Sequence, residues 1–189
     1  MPGGHLATSL ALGGAAYSAT GSVEAAAGCF AGGFLIDVDH YLDYLLFEKQ
    51  WRRPSPLRFL AYYFTNSPKK LVLPLHSVEL MTLLLFVIAM FPFPLLIGYW
   101  IGAVMHLVFD ILVNGDHALK RPVPFYFFSY RAMHRFAAEE LLDVAPQALE
   151  GRPPMREFFR WRPLPEASKV KPDPVTAEAA LRASQPSAD

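Results

Sequence analysis

Apolar residues in this chain gather in four long stretches, about 5–20, 22–36, 76–91 and 93–113, with polar or proline-bearing segments between them. A membrane-spanning helix needs roughly 20 apolar residues. The stretch 93–113 meets that length unaided, while the first two are shorter and rich in Gly and Ala. Small residues such as Gly13, Gly14, Gly28, Gly32 and Gly33 would let two helices approach closely. The breaks within each pair are short: Gly21-Ser22 in the first and Phe91-Pro92-Phe93-Pro94 in the second, where proline stops one helix and starts the next. The pattern predicts an all-α chain, an integral membrane bundle of two antiparallel helical hairpins with about four transmembrane helices. For the first pair, a soluble hairpin with a tight core is the competing reading.

Between the hairpins the sequence predicts a loop over Tyr41 to Leu75. Beyond the fourth stretch, Tyr130 to Val144 reads as an amphipathic helix, with Met133, Phe136, Leu141 and Leu142 set against Arg131, Arg135, Glu139 and Glu140. From about Pro163 the chain turns to Pro, Ala, Ser and Lys, a composition that predicts disorder. The expected organisation is a membrane-embedded helical domain over 1–145 and an irregular tail over 146–189.

Composition supports the membrane reading. Only 18% of the 189 residues are charged, against roughly 25% in a soluble domain, and the mean hydropathy is +0.24. The formal net charge is zero, so no global field argues for nucleic acid. The single cysteine, Cys29, excludes an internal disulfide framework and thiolate-rich zinc sites. The N-terminus does not read as a signal peptide, because no Lys or Arg precedes its apolar run and His5 interrupts it. Lys49, Arg52, Arg53, Arg58, Lys69 and Lys70 lie in the long loop, and Lys120, Arg121, Arg131 and Arg135 follow the last span. The two short turns carry no Lys or Arg, so the positive-inside rule places the long loop and both termini in the cytoplasm. Trp51, Tyr62, Tyr63 and the run Phe125 to Phe128 suit an interfacial belt or a small core outside the membrane.

Ionisable residues beside apolar spans are costly and usually functional. Here they are few. His5 opens the first span; Asp37, Asp39 and His40 close the second; His76, with Glu79 one turn on, opens the third; His106 and Asp110 lie late in the fourth. A two-hairpin topology brings all of these ends to one membrane face. His106 and Asp110 are four apart and share a helical side; Asp37 with His40 and His76 with Glu79 are three apart. Imidazole plus carboxylate without thiolate suits zinc, manganese or iron. His5, Asp37, Asp39, His40, His76, His106 and Asp110 are therefore the expected metal ligands, with Asp39, Glu79 and His5 open to outer roles. Each has a bland alternative when taken alone: a helix cap, an interfacial side chain, or a buried hydrogen-bonded pair. His117, Asp116 and His134 keep the bland reading, and Asp43 is a weak extra candidate.

An N-terminal His-Leu with a Gly-rich helix, then Asp37-Val38-Asp39-His40, then His76-Ser77, then His106-x-x-x-Asp110 resembles the membrane-bound metal-dependent hydrolases described as LexA-binding and inner-membrane-associated. Asn114 to Phe128, with Arg121-Pro122-Val123-Pro124-Phe125, resembles the segment that follows the last motif in that family. The resemblance covers about residues 1–130. It implies a distant likeness to zinc-dependent phospholipases C, helical phosphodiesterases whose clustered zinc ions are held by His and Asp. Carried over, His106 and Asp110 match the paired ligands, Asp37 or Asp39 matches a bridging carboxylate, and His5 and His76 complete the shell. The implied activity is metal-dependent hydrolysis of a phosphoester or lipid-like substrate at the inner membrane. Asp39 or Glu79 would orient or deprotonate the attacking water, and Arg52, Arg53, Lys69 and Lys70 would hold anionic headgroups. A membrane protein that binds metal without catalysis, or a scaffold for a cytoplasmic partner, remains the alternative.

Overall fold

The computed structural model describes residues 2–52, 54–64, 68–114 and 119–143. Arg53, Asp116, His117, Val144 and the expected tail over 146–189 lie outside the described residues. Within them the protein is all-α. The elements are α1 (Pro2–Thr20), α2 (Val23–Gly33), α3 (Val38–Phe47), α4 (Pro56–Phe64), α5 (Val78–Met90), α6 (Pro94–Phe109) and three short helices, α7 (Pro122–Phe125), α8 (Phe128–Met133) and α9 (Ala138–Leu141). A 3-10 turn, Leu35–Asp37, leads into α3, and a π-helical turn, Asp110–Asn114, extends α6.

Local chemistry sets the boundaries. Gly21 takes a left-handed φ of 68° between α1 and α2. Ser22 then caps α2, its hydroxyl accepting from the Ala25 amide at 3.1 Å. Ser77 does the same for α5 through the Leu80 amide at 3.1 Å. Pro94 starts α6 at its first turn, where a missing N–H costs nothing.

The central packing is backbone on backbone. Gly28 and Gly32 of α2 face Gly98 and Gly102 of α6. A Cβ added at Gly28 would overlap the Leu95 carbonyl, at Gly32 the Tyr99 carbonyl, at Gly98 the Ala25 carbonyl and at Gly102 the Cys29 carbonyl. Small residues spaced four apart on both helices create this approach. α1 packs on the other side of α2, where Gly33 meets the Ser9 hydroxyl. The outer sides of α5 and α6 leave Leu83, Phe86, Met90, Leu95 and Ile101 exposed. Among the described residues one run, Pro94–Val113, is long and apolar enough to cross a membrane, and α5 is a shorter apolar helix of 13 residues.

Four expectations change. Asp37, Asp39 and His40 do not close the second helix: α2 stops at Gly33, and these residues lie in the 3-10 turn and the first turn of α3. The expected loop over Tyr41 to Leu75 holds most of α3 and all of α4. Leu42 and Leu46 of α3 face outward while Asp39 and Asp43 are buried, so the helix carries no core-facing apolar period to mark it in the sequence. The expected amphipathic helix over Tyr130 to Val144 is broken into α8 and α9, because Arg135 and Phe136 take left-handed φ values of 52° and 58°. This turn frees the Phe136 carbonyl for the Leu71 amide at 2.9 Å and the Ala138 amide for the Lys69 carbonyl at 3.1 Å. Arg131, expected on a solvated face, is fully buried.

That burial secures a strap over 68–77. Asp43 Oδ2 accepts from the Val72 and Leu73 amides at 2.6 and 3.1 Å, and Asp39 Oδ2 from the Leu75 and His76 amides at 3.0 and 3.3 Å. From the other side the Arg131 guanidinium donates to the carbonyls of Val72, Leu73 and His76 at 3.2, 2.8 and 2.9 Å, and to that of Phe125 at 2.6 Å. Leu71 and Leu73 of the strap join Ile36, Met81, Ala103, Leu107 and Phe125 in the core.

Substituting Gly32 by Val should unseat α2 from α6 and destabilise the fold by about 1–3 kcal/mol or more. Gly14→Ala, where an added Cβ meets nothing within 4 Å, should be neutral or stabilising by up to ~1 kcal/mol. Thermal melts in detergent followed by circular dichroism separate the two.

Candidate metal centre

The start of α1, the end of α2, the start of α5 and the end of α6 meet at one end of the bundle, and α3 runs from there. His5, Asp37, Asp39, His40, His76, His106 and Asp110 are all brought to this point, in overlapping groups whose ligand atoms lie within 4.8 Å of one another.

The end of α2 orients His106. Because the helix stops at Gly33, the Gly33 carbonyl lacks an intrahelical partner, and His106 Nδ1 lies 2.8 Å from it. A carbonyl can only accept, so Nδ1 carries the proton and the Nε2 lone pair points the other way. His76 is oriented in the same manner. Its Nδ1 is 3.0 Å from Asp39 Oδ2, a carboxylate oxygen already accepting two backbone amides. Nδ1 donates to it, and the His76 Nε2 lone pair also points inward.

These two Nε2 atoms face each other at 3.2 Å. In two neutral rings the lone pairs at that distance repel, and either a shared proton or a bound cation between them removes the repulsion. Around them Asp37 Oδ1 is 3.5 Å from both His76 Nε2 and His106 Nε2, and Asp110 Oδ2 is 3.4 Å from His106 Nε2 and 3.9 Å from His76 Nε2. Metal–ligand distances of about 2.0–2.2 Å in a tetrahedron require ligand separations of about 3.3–3.6 Å. The five separations of 3.2–3.9 Å that link the two nitrogens to each other and to the two oxygens come near that requirement, so the residues present fit a divalent cation. Asp39 behind His76 and the Gly33 carbonyl behind His106 are the outer partners that metal-binding histidines usually have.

The remaining members surround this set. His5 stacks on His106 with ring centroids 3.9 Å apart, and its Nε2 is 3.1 Å from Asp110 Oδ1. His40 Nε2 is 3.8 Å from Asp37 Oδ1, and its ring meets His76 and Tyr63 edge-on at 5.0 and 5.1 Å. Burial, with His76 beside it, pushes the His40 imidazole down and favours its neutral form. Burial would raise the Asp37 carboxyl, but the His106 and His76 imidazoles beside it outweigh burial and hold Asp37 well below the usual carboxylate range. Asp39 Oδ1 is buried with no hydrogen-bond partner among the described residues.

The structure takes Glu79 elsewhere. Its carboxylate accepts from the Phe128 and Ser129 amides at 2.8 and 2.9 Å and from the Ser129 hydroxyl at 2.7 Å. Glu79 thus caps the start of α8. Lys69 pairs with Glu48 at 3.0 Å, and Lys70 lies 5.6 Å from the centre of the Phe47 ring. His134 pairs with Glu140 on the surface at 3.0 Å.

Sequence reasoning missed several contributors. Tyr126, read as part of an interfacial belt or of a small core, is buried with its hydroxyl hydrogen-bonded to Asp110, and burial pushes that phenol up. Asp43, a weak candidate, anchors the strap that carries His76. The spacing of Asp39 and Asp43, four apart, was an available signal once a helix is granted there. Arg131 gave no such signal. Compared with family models, with curated proteins and with solved structures, the chain finds no match.

Asp39→Asn should weaken divalent-metal affinity about 10–100-fold, as loss of an outer partner does elsewhere. Glu79→Gln should leave that affinity unchanged while lowering stability by about 1 kcal/mol. Metal titration and thermal melts of the same preparations check both.

Proposed function

We propose that this chain is a membrane-embedded, metal-dependent hydrolase of the kind its sequence resembles, acting on phosphoesters presented at the cytoplasmic face of an inner membrane. The observation that carries the reading is the facing pair of Nε2 atoms of His76 and His106, 3.2 Å apart, with Asp37 Oδ1 and Asp110 Oδ2 within 3.4–3.9 Å of them. His76, His106, Asp37 and Asp110 would hold a first divalent ion, with zinc the best match to two imidazoles and two carboxylates and manganese or iron as alternatives. His5 and His40 stand beside it, so a second ion has donors within reach.

A bound divalent ion supplies Lewis acidity, polarising a phosphoryl oxygen and making water acidic near neutral pH. The chain's own residues do the rest. Asp37 is the partly open member of the set, its side chain 31% exposed where those of His76 and His106 are 1% and 0%. A substrate oxygen would enter on its side. Of the two carboxylates expected to handle the proton, Glu79 is committed to α8, which leaves Asp39 with its unpartnered Oδ1. In the same reading α1–α2 and α5–α6 form two hairpins in the bilayer, both termini face the cytoplasm, and the basic residues Arg52, Lys69 and Lys70 lie near the anionic leaflet. Membrane lipids are the expected surroundings, and no nucleic acid is expected.

The near-complete burial of His76 and His106 also suits a closed site that binds metal without turnover, so the test has two stages. Elemental analysis of the detergent-purified protein should find roughly one or more zinc, manganese or iron per chain, lost in the variant carrying both His106→Ala and Asp110→Ala. Bis(p-nitrophenyl) phosphate should then be hydrolysed by the loaded protein and spared with chelator. No metal after reloading would sink the proposal, and the cluster would be an ion-paired packing network. Metal without hydrolysis of this or a phospholipid substrate would favour the non-catalytic reading.

A further inference from the structure

α3 is amphipathic the wrong way round for water. Its carboxylates Asp39 and Asp43 are buried, together with Tyr44, while Val38, Leu42 and Leu46 are 47%, 45% and 63% exposed. Leu35, in the turn just before, is 52% exposed and prolongs the same side. The spacings of three, four and four residues make one continuous stripe. Between Val38 and Phe47 no charged side chain is exposed, since both acids turn inward to hold the strap. A helix on an aqueous surface shows the opposite arrangement, with its acids outside and its leucines against the core.

The residues that follow fit the same surroundings. Trp51 is 59% exposed, with the Arg52 guanidinium 4.8 Å from its ring centre, and Leu57, in the first turn of α4, is 60% exposed beside the exposed Arg58. An apolar stripe bordered by Trp and Arg suits the boundary between headgroups and acyl chains of an anionic leaflet. Leu35 and Val38 at the head of the stripe flank the partly open Asp37 in the chain, so whatever covers them lies next to the opening of the metal centre.

We propose that α3 lies in the membrane boundary with Leu35, Val38, Leu42 and Leu46 against the acyl chains of bilayer lipids, forming an apolar approach that ends at Asp37. An amphiphile sliding along this side arrives with its tail on the leucines and its polar head at the carboxylate. Access is then lateral, from the leaflet rather than from bulk water. The inference rests on the membrane reading of the α5–α6 hairpin but not on catalysis.

The test is a depth measurement on the full chain. Nitroxide labels are placed singly at Leu42→Cys, Leu46→Cys and, on the outer side of α5, Phe86→Cys, each in a Cys29→Ala background, and the proteins are reconstituted in phosphatidylethanolamine–phosphatidylglycerol vesicles. These positions are exposed, so the labels displace no core contact. At Leu42 and Leu46, collisions with oxygen should exceed those with a water-soluble nickel chelate several-fold, as at Phe86. Strong nickel collision at Leu42 and Leu46 with oxygen dominance at Phe86 would overturn the proposal while leaving the membrane reading intact. Nickel dominance at all three would remove both. Low collision with either reagent at Leu42 and Leu46, with dipolar broadening between labels, would mean that a second copy covers the stripe, and would equally overturn it.

Discussion

The close backbone contact between α2 and α6 is the constraint on which the rest of the molecule depends. With glycine on both sides of the seam, the two helices approach closer than any Cβ would allow. That proximity puts the last carbonyl of α2 within hydrogen-bonding distance of a histidine on α6. It also fixes where the chain leaves α2, and so where the 3-10 turn carries Asp37. A wider seam would move Asp37 and His106 apart together with the helices that bear them. The first packing decision of the fold is thus also the first decision about the geometry of the cluster.

A second device solves a different problem. His76 is not on a helix: it lies on an irregular strap, which has no ladder of its own to hold it. The strap's amides are held by two carboxylates of α3 and its carbonyls by one buried guanidinium. Charged partners make stronger hydrogen bonds than neutral ones. Their burial is tolerable because Asp39, Asp43 and Arg131 lie on opposite sides of the same few peptides. Burial pushes the Asp43 carboxyl up and the Arg131 guanidinium down, which marks the desolvation that this arrangement must offset. The left-handed conformation of Leu73, with φ of 44°, lies in the middle of the clamp. Strain of this kind persists where surrounding contacts over-determine the backbone.

The sequence made the helical class and the gathering of His and Asp legible for one reason. Apolar runs of that length mark helices, and ionisable groups at their ends are rare enough to draw notice. His5, His76, His106 and Asp110 could be placed from topology alone. The irregular parts were hidden. Asp37 to His40 were assigned to the end of a helix because nothing in Gly33-Phe34-Leu35-Ile36 announces a break. α3 was read as loop because its leucines, which face outward, carry no core-facing period. Arg131 and Glu79 were misjudged for a shared reason: a charge on a helical pattern suggests a solvated side or a reactive group, whereas both serve distant backbone. Long-range hydrogen bonds from side chain to main chain leave no local spacing to detect.

The partner behind His106 is a carbonyl oxygen, and the partner behind His76 is a side chain. The two histidines therefore differ in how they answer to inheritance. Drift or deliberate change at Asp39 can retune the imidazole in front of it one substitution at a time. The Gly33 oxygen is the same oxygen whatever residue stands there, and the glycine itself is demanded by the Ser9 hydroxyl rather than by the histidine. An alanine scan would credit the site's orientation to Asp39 alone. Half of that orientation is written in the path of the main chain, beyond the reach of any single codon.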